Sequence, residues 1–232
     1  MNDFYAALYQ AIVLMLGMDS DLGEIIALSL GISLTAVLLA ALVGLPLGAA
    51  VALSGFPGRK TIVVFLNALM GLPPVVVGLV VYLGLSRSGP LGALGLLFTP
   101  TAMIIAQWIL VTPIISALTR QIIEDLWEEY GEQLRSLGAS PGIAVQTLLW
   151  EGRFSLLTAV LAGFGRAIAE VGAVMIVGGN IDHVTRVMTT TIALETSKGN
   201  LPLALGLGIV LISISLAVNA GVFLVRDKAP SG

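Results

Sequence analysis

The stretch "RQIIEDLWEEYGEQLRSLGASPGIAVQTLLWEGR", residues 120–153, is the longest polar segment of an otherwise apolar chain. Ile122, Ile123, Leu126, Tyr130, Leu134 and Leu137 recur at helical spacing, which predicts an amphipathic helix with its acids on the other face. Gly138 ends that pattern. Ser140 followed by Pro141 is a helix start signal, because a serine hydroxyl caps free amides and proline fits the first turn. Ile143, Val145 and the run Leu148 to Trp150 give the second helix an apolar side. A helix, a glycine turn and a helix with this much periodicity read as a docking element rather than a solvated loop.

Outward from this segment the chain turns apolar. Of its 232 residues, 57% are hydrophobic and 11% charged, and the mean hydropathy of +1.01 belongs to an integral membrane protein. A membrane-crossing helix needs about 20 mostly apolar residues for a hydrocarbon core of roughly 30 Å. Five stretches qualify, at about 25–53, 61–85, 99–119, 154–180 and 202–225. The expected fold is therefore all-α, a polytopic transmembrane helix bundle. A shorter apolar run, Phe4 to Met18, ends at Asp19 and Asp21; residues 1–24 are expected to form an interfacial helix or a short extra span. They carry no basic n-region or small-residue cleavage site and are not read as a signal peptide.

Arginine and lysine set the orientation. With the acidic segment inside, Arg59, Lys60, Arg120, Arg135, Arg153, Arg226 and Lys228 are internal, against Arg87, Arg186 and Lys198 outside. The 120–153 loop and the tail 226–232 are thus expected in the cytoplasm.

Within and between the spans four features stand out. "GLPPVVVG" puts Pro73 and Pro74 in the second apolar stretch, where lost amide donors make either a packed kink or a broken helix beside a pathway. "GRAIAE" puts Arg166 and Glu170 four apart in the fourth stretch. On one helix they share a face and can pair, as a structural ion pair or as part of a gate or dimer interface. Thr189, Thr190 and Thr191 are candidates either for weak hydroxyl donors along an anion path or for partners of backbone groups. Gly31, Gly44 and Gly48 suit close helix packing.

Other chemistries are excluded. A net charge of −3 and the lack of clustered cations argue against nucleic acid. Cysteine is absent and His183 is the only histidine, which leaves out disulfides and ordinary zinc sites. The string "GFPGRKT", residues 55–61, approaches a phosphate loop, but Arg59 separates Gly58 from Lys60 and breaks the required spacing. Arg59 and Lys60 read as topology anchors. A hydrolase site of Ser/His or paired-Asp type is missing from the spans. A self-contained secondary transporter or channel, with Glu170 or Arg166 as its ion site, is the alternative from another class.

The 120–153 segment resembles the cytoplasmic signature of type I ABC-importer permease subunits: Glu-Ala-Ala, three residues, Gly, nine residues, then Ile-x-Leu-Pro. Glu132, Gly138 and Leu148 stand at the Glu, Gly and Ile, whereas Gln133 and Leu134 replace the alanines and Trp150 and Glu151 replace Leu-Pro. "LPPVVVG" at 72–78 and "GRAIAEVGAV" at 165–174 are similar to stretches of importers for molybdate, tungstate and sulfate. "VGGNIDHVTRVMTTTIALETSKGNLPLALGLG", residues 177–208, resembles the tungstate-type permeases among them.

That resemblance implies a type I permease domain over 25–225 with five core spans, in a multi-pass prokaryotic cytoplasmic membrane protein importing an oxyanion, tungstate first, with molybdate or sulfate as alternatives. It implies a homodimer, two ATPase subunits inside and one binding protein outside. The chain itself would be no enzyme and bind no cofactor or metal, ATP and magnesium belonging to the ATPases. Glu132, Leu137, Gly138, Ala139, Ser140, Pro141, Gly142 and Ile143 would form the ATPase contact.

Overall fold

The computed structural model describes residues 20–227 and, before them, residues 5, 6, 8, 9, 12 and 13. The run 4–18, expected as an interfacial helix or short span, lies largely outside the described residues. From Ser20 onward the chain forms α1 (Ser20–Leu53), α2 (Arg59–Met70), α3 (Pro74–Leu85), a 3-10 turn (Gly92–Leu94), α4 (Pro100–Ser136), α5 (Pro141–Glu151), α6 (Arg153–Ile168), α7 (Gly172–Gly178), α8 (Met188–Ser197) and α9 (Leu201–Asp227). No strand occurs among the described residues. In lipid each backbone amide needs a partner within the protein, and the helix supplies it locally.

Three helices, α1, α4 and α9, are long and apolar enough to cross a membrane, and the number rises to five if two bent pairs each form one span. The 99–119 stretch and the amphipathic pattern after it, expected as separate elements, are one helix, α4. Nothing between them ends a helix: Ile115, Thr119 and Ile123 are all fully buried and keep one inward stripe running across the join. At about 1.5 Å per residue, its 37 residues reach about 55 Å, so a large part projects beyond a core of roughly 30 Å.

The second stretch, 61–85, is not a straight helix. Gly71 and Leu72 close α2 by donating to the carbonyls of Ala68 (3.1 Å) and Leu69 (3.2 Å). Pro74 then opens α3 at the position where a missing amide is harmless, and it disfavours helical backbone at Pro73. The backbone bends by 97° there. Each half has 12 residues, or about 18 Å, too short to cross alone. The fourth stretch breaks as well, between Ile168 and Gly172, with a bend of 56°. Glu170 therefore lies outside any helix.

The chain packs as two compact units. The described residues of the first fall within Met1–Ser33, Pro74–Ala106 and Ile168–Gly232. There α3 packs on α7, and α8 on α9. Gly78 permits the first contact, since a Cβ on it would stand 2.8 Å from Ala173 Cα. Val77, Val81, Leu85, Val174 and Val177 are buried. Phe98 donates its amide to Val177 O at 2.9 Å, and its ring meets Tyr82 edge-on at 6.2 Å.

The second unit comprises Leu34–Pro73 and Gln107–Ala167. Its core includes Ala49, Ala52, Ile123 and Leu148, flanked by Leu53, Leu126, Trp127, Tyr130, Leu134, Val145 and Leu149. Small residues set the spacing: a Cβ at Gly48 would lie 2.4 Å from Ser116 O.

Candidate functional site

The polar hairpin is built from its caps. Gly138 has φ +71, a backbone region open to glycine at little cost. Ala139 donates to Leu134 O and Gly138 to Arg135 O, both at 3.0 Å, which ties off the end of α4. Ser140 Oγ then accepts from the Ile143 amide at 3.4 Å, with Pro141 in the first turn of α5. Beyond the turn, Ala144 and Leu148 face inward, Leu148 being 1% exposed. Gly152 allows α5 to close on α4, because a Cβ there would meet Leu126 Cδ1 at 2.8 Å.

What remains outside is the apolar tip. Leu137 is 81% exposed, Ile143 56% and Trp150 70%, and Glu132, Ser140, Pro141 and Gly142 are exposed while Ala139 is half-buried. Gly142, Val145, Gln146, Leu149 and Trp150 line a recess on α5. The Arg153 guanidinium lies 5.0 Å over the Trp150 ring and 4.6 Å over Phe154. Apolar side chains on a capped, rigid turn can enter a cleft on a partner with little loss of conformational freedom.

One member of the acidic cluster behaves differently. Glu124 is ion-paired through one oxygen to Arg59 and through the other to Arg120. Arg59 also donates to Val51 O at 2.9 Å and Ala52 O at 3.1 Å. The topology-anchor reading missed this role. The i,i+4 spacing of Arg120 and Glu124 was visible in the sequence, but no local pattern joins Arg59 to Glu124.

Polar side chains lie on both sides of the break between α6 and α7. Arg166 lies in the last turn of α6, where a cation complements the helix dipole. Glu170 is 3% exposed, and its Oε1 accepts from the Ala173 amide at 2.9 Å, capping α7. Thr189 Oγ1 donates to Glu170 O at 2.9 Å, bringing together two candidates far apart in sequence. Thr190 and Thr191 hydroxyls donate to Val187 O at 3.0 and 2.8 Å, so all three threonines bond backbone. Gln107 was not foreseen; its Nε2 donates to Ala167 O at 3.0 Å. The start of α3 also meets this break, since a Cβ on Gly172 would lie 2.9 Å from Val75 Cγ2, next to Pro74.

The loop after α7 is polar. His183 Nδ1 lies 2.9 Å from Glu24 Oε2, and Arg186 donates to Asp182 Oδ1 at 2.6 Å. The hydrogen bond with Glu24, followed by the charge of Asp182, holds the His183 pKa above its ordinary value. Hydrogen bonds from Lys198 and Asn200 hold the Glu195 carboxyl below its own. Among the described residues no group of three or more His, Cys, Asp or Glu side chains is placed to hold a metal ion.

Residues 44–228, which include both the Gly138 turn and the two breaks, match the family model for the inner membrane component of binding-protein-dependent transport systems. The chain belongs to this family. It is a multi-pass membrane protein and a permease subunit of an ABC transport system. The permease is 44% identical over 218 residues to the tungstate uptake system permease protein TupB of Peptoclostridium acidaminophilum, covering 94% of this chain and 96% of the relative. It is 41% identical to a probable anion ABC transporter permease protein of Haloferax volcanii, covering 89% and 91% of the two chains. A TupB of Campylobacter jejuni is 42% identical, over 71% of this permease and 69% of that protein.

Proposed function

We propose that this permease imports an oxyanion, tungstate first among them, by coupling an ATPase cycle inside the cell to release of cargo from a binding protein outside. The observation that carries the substrate class is 44% identity, over 94% of the chain, to a permease of tungstate uptake. The assembly is read as a homodimer with two ATPase subunits, which bind the ATP and magnesium, and one external binding protein. The hairpin and the C-terminus are read as cytoplasmic.

In this reading the turn from Leu137 to Ile143, with Glu132 before it, seats in the ATPase. Exposure of Leu137 and Ile143 on a capped turn supports the assignment. The turn sits directly on the end of the uninterrupted α4, so a displacement at Ser136 moves the helix and not a loose tether. The breaks at Pro73–Pro74 and around Glu170 are the points where the spans change direction and are read as the hinge or gate.

The anion is not held tightly at Arg166, because conduction requires binding weak enough for release. Selection falls to the external protein. Calorimetry on the cognate binding protein with tungstate, molybdate and sulfate tests the cargo, and preference for sulfate or molybdate would replace tungstate. Uptake by proteoliposomes containing this chain alone, driven by an ion gradient without ATPase subunits, would overturn the whole reading in favour of a secondary transporter.

A further inference from the structure

The Arg59–Glu124–Arg120 cluster has a geometry that an ordinary surface ion pair lacks. Arg59 is the first residue of α2. Its guanidinium donates to Val51 O and Ala52 O in the last turn of α1, where carbonyls have no partner within the helix and a cation complements the dipole. The same guanidinium holds Glu124 of α4. A planar fork is suited to serving three acceptors at once, which a lysine ammonium on a flexible stem does poorly. The Arg59 and Glu124 side chains are only 32% and 28% exposed, so water screens them incompletely.

Glu124 stands about three turns before the end of α4, the helix that carries the docking turn. Next to it Ile123 packs with Ala49 and Ala52 of α1 and with Leu148 of α5, on the far side of that turn. The charged tie and this apolar cluster therefore join the same elements at the same level.

We propose that Arg59 is a positioning residue for coupling, tying the end of α1 and the start of α2 to the α4 segment that leads into the docking turn, so that these elements move as one body. The inference rests on the reading that this turn seats in an ATPase. A loosened tie lets the hairpin follow the ATPase while the attached spans lag, and hydrolysis then proceeds with less transport.

R59Q is a suitable perturbation because Glu124 keeps its second partner, Arg120, and no buried carboxylate is stranded. The complete complex, with ATPase subunits and binding protein, is reconstituted in proteoliposomes, and tungstate uptake and phosphate release are measured together. R59Q is expected to retain the ATPase subunits and hydrolyse ATP within about twofold of wild type, while uptake per ATP falls about tenfold, the scale of one charge-assisted bond. E124Q, which spares the bonds from Arg59 to α1, is expected to lower the ratio less, and it carries the test if R59Q does not assemble. An unchanged ratio in an assembled variant would overturn the tie while leaving the docking assignment standing. A wild-type chain that retains no ATPase subunit would overturn the docking reading itself and the tie with it.

Discussion

Gly48→Ala and Gly208→Ala make the same chemical change in the interior of a helix, yet the structure requires opposite outcomes. A Cβ at Gly48 would lie 2.4 Å from Ser116 O, 2.7 Å from Thr119 Cβ and 3.0 Å from Arg120 N. Ordinary contact is about 3.5 to 4 Å, and two of those three atoms are backbone, so no rotamer change relieves the clash. Helices α1 and α4 must separate locally, which costs about 1 to 3 kcal/mol, and backbone against backbone belongs at the upper end. Alanine returns about 1 kcal/mol through helix propensity. The net loss is about 2 kcal/mol, or about 4 to 8 °C in melting temperature for a chain of this size. At Gly208, inside α9, a Cβ would meet nothing within 4 Å, so the propensity gain applies and the melting temperature holds or rises by about 2 to 4 °C. Thermal unfolding of the purified protein in detergent, followed by the fluorescence of its three tryptophans, measures both. A Gly48→Ala protein melting at or above wild type would refute the packing argument.

Gly138→Val places a β-branched residue at φ +71 with nothing within 4 Å of its Cβ, so the cost is backbone strain alone, about 1 to 2 kcal/mol; membrane insertion should be unchanged while uptake per ATP falls, and a wild-type ratio would count against the turn as the docking point. Glu170→Ala removes the cap on the Ala173 amide and should destabilise by about 0.5 to 2 kcal/mol, whereas Glu170→Gln keeps an acceptor there; equal melting temperatures for the two variants would show that the cap contributes nothing. His183, its pKa raised first by Glu24 and then by Asp182 from the ordinary 6.5, adds stability that is complete below the unfolded value and is lost as pH rises through the higher folded one. Its NMR titration midpoint should lie above 6.5 in the wild type and move down in Glu24→Gln, and a midpoint unmoved by that substitution would exclude the contact.

What was legible in the sequence is what local chemistry determines. Ser140, Pro141 and Gly138 announce the turn, because capping and positive φ depend on a few adjacent residues, and they form the end of α4 and the start of α5. The apolar stretches locate the helices, because a helix satisfies within one segment the backbone groups that lipid cannot. Continuity is harder to read. No residue near Arg120 ends a helix, so the span and the amphipathic segment merged into α4. "GRAIAEVGAV" carries no proline and reads as unbroken, yet α6 stops at Ile168. Long-range partners were invisible for the same reason: Arg59 with Glu124, Thr189 with the Glu170 carbonyl, and Gln107 with the Ala167 carbonyl are brought together by tertiary packing, which no short window contains.

The charges of "GRAIAE" gain a simpler explanation from the break itself. Breaking a helix within the apolar part of a chain frees amides and carbonyls, and each one left unpaired there costs several kcal/mol. Here the freed groups are met by side chains, the Ala173 amide by Glu170, the Glu170 carbonyl by Thr189 and the Ala167 carbonyl by Gln107. The charges also have the right signs, arginine in the last turn of α6 and glutamate before the first turn of α7, where each opposes the partial charge of its own helix end. A straight helix needs neither. Arg166 and Glu170 are therefore each accounted for by the helix end beside them.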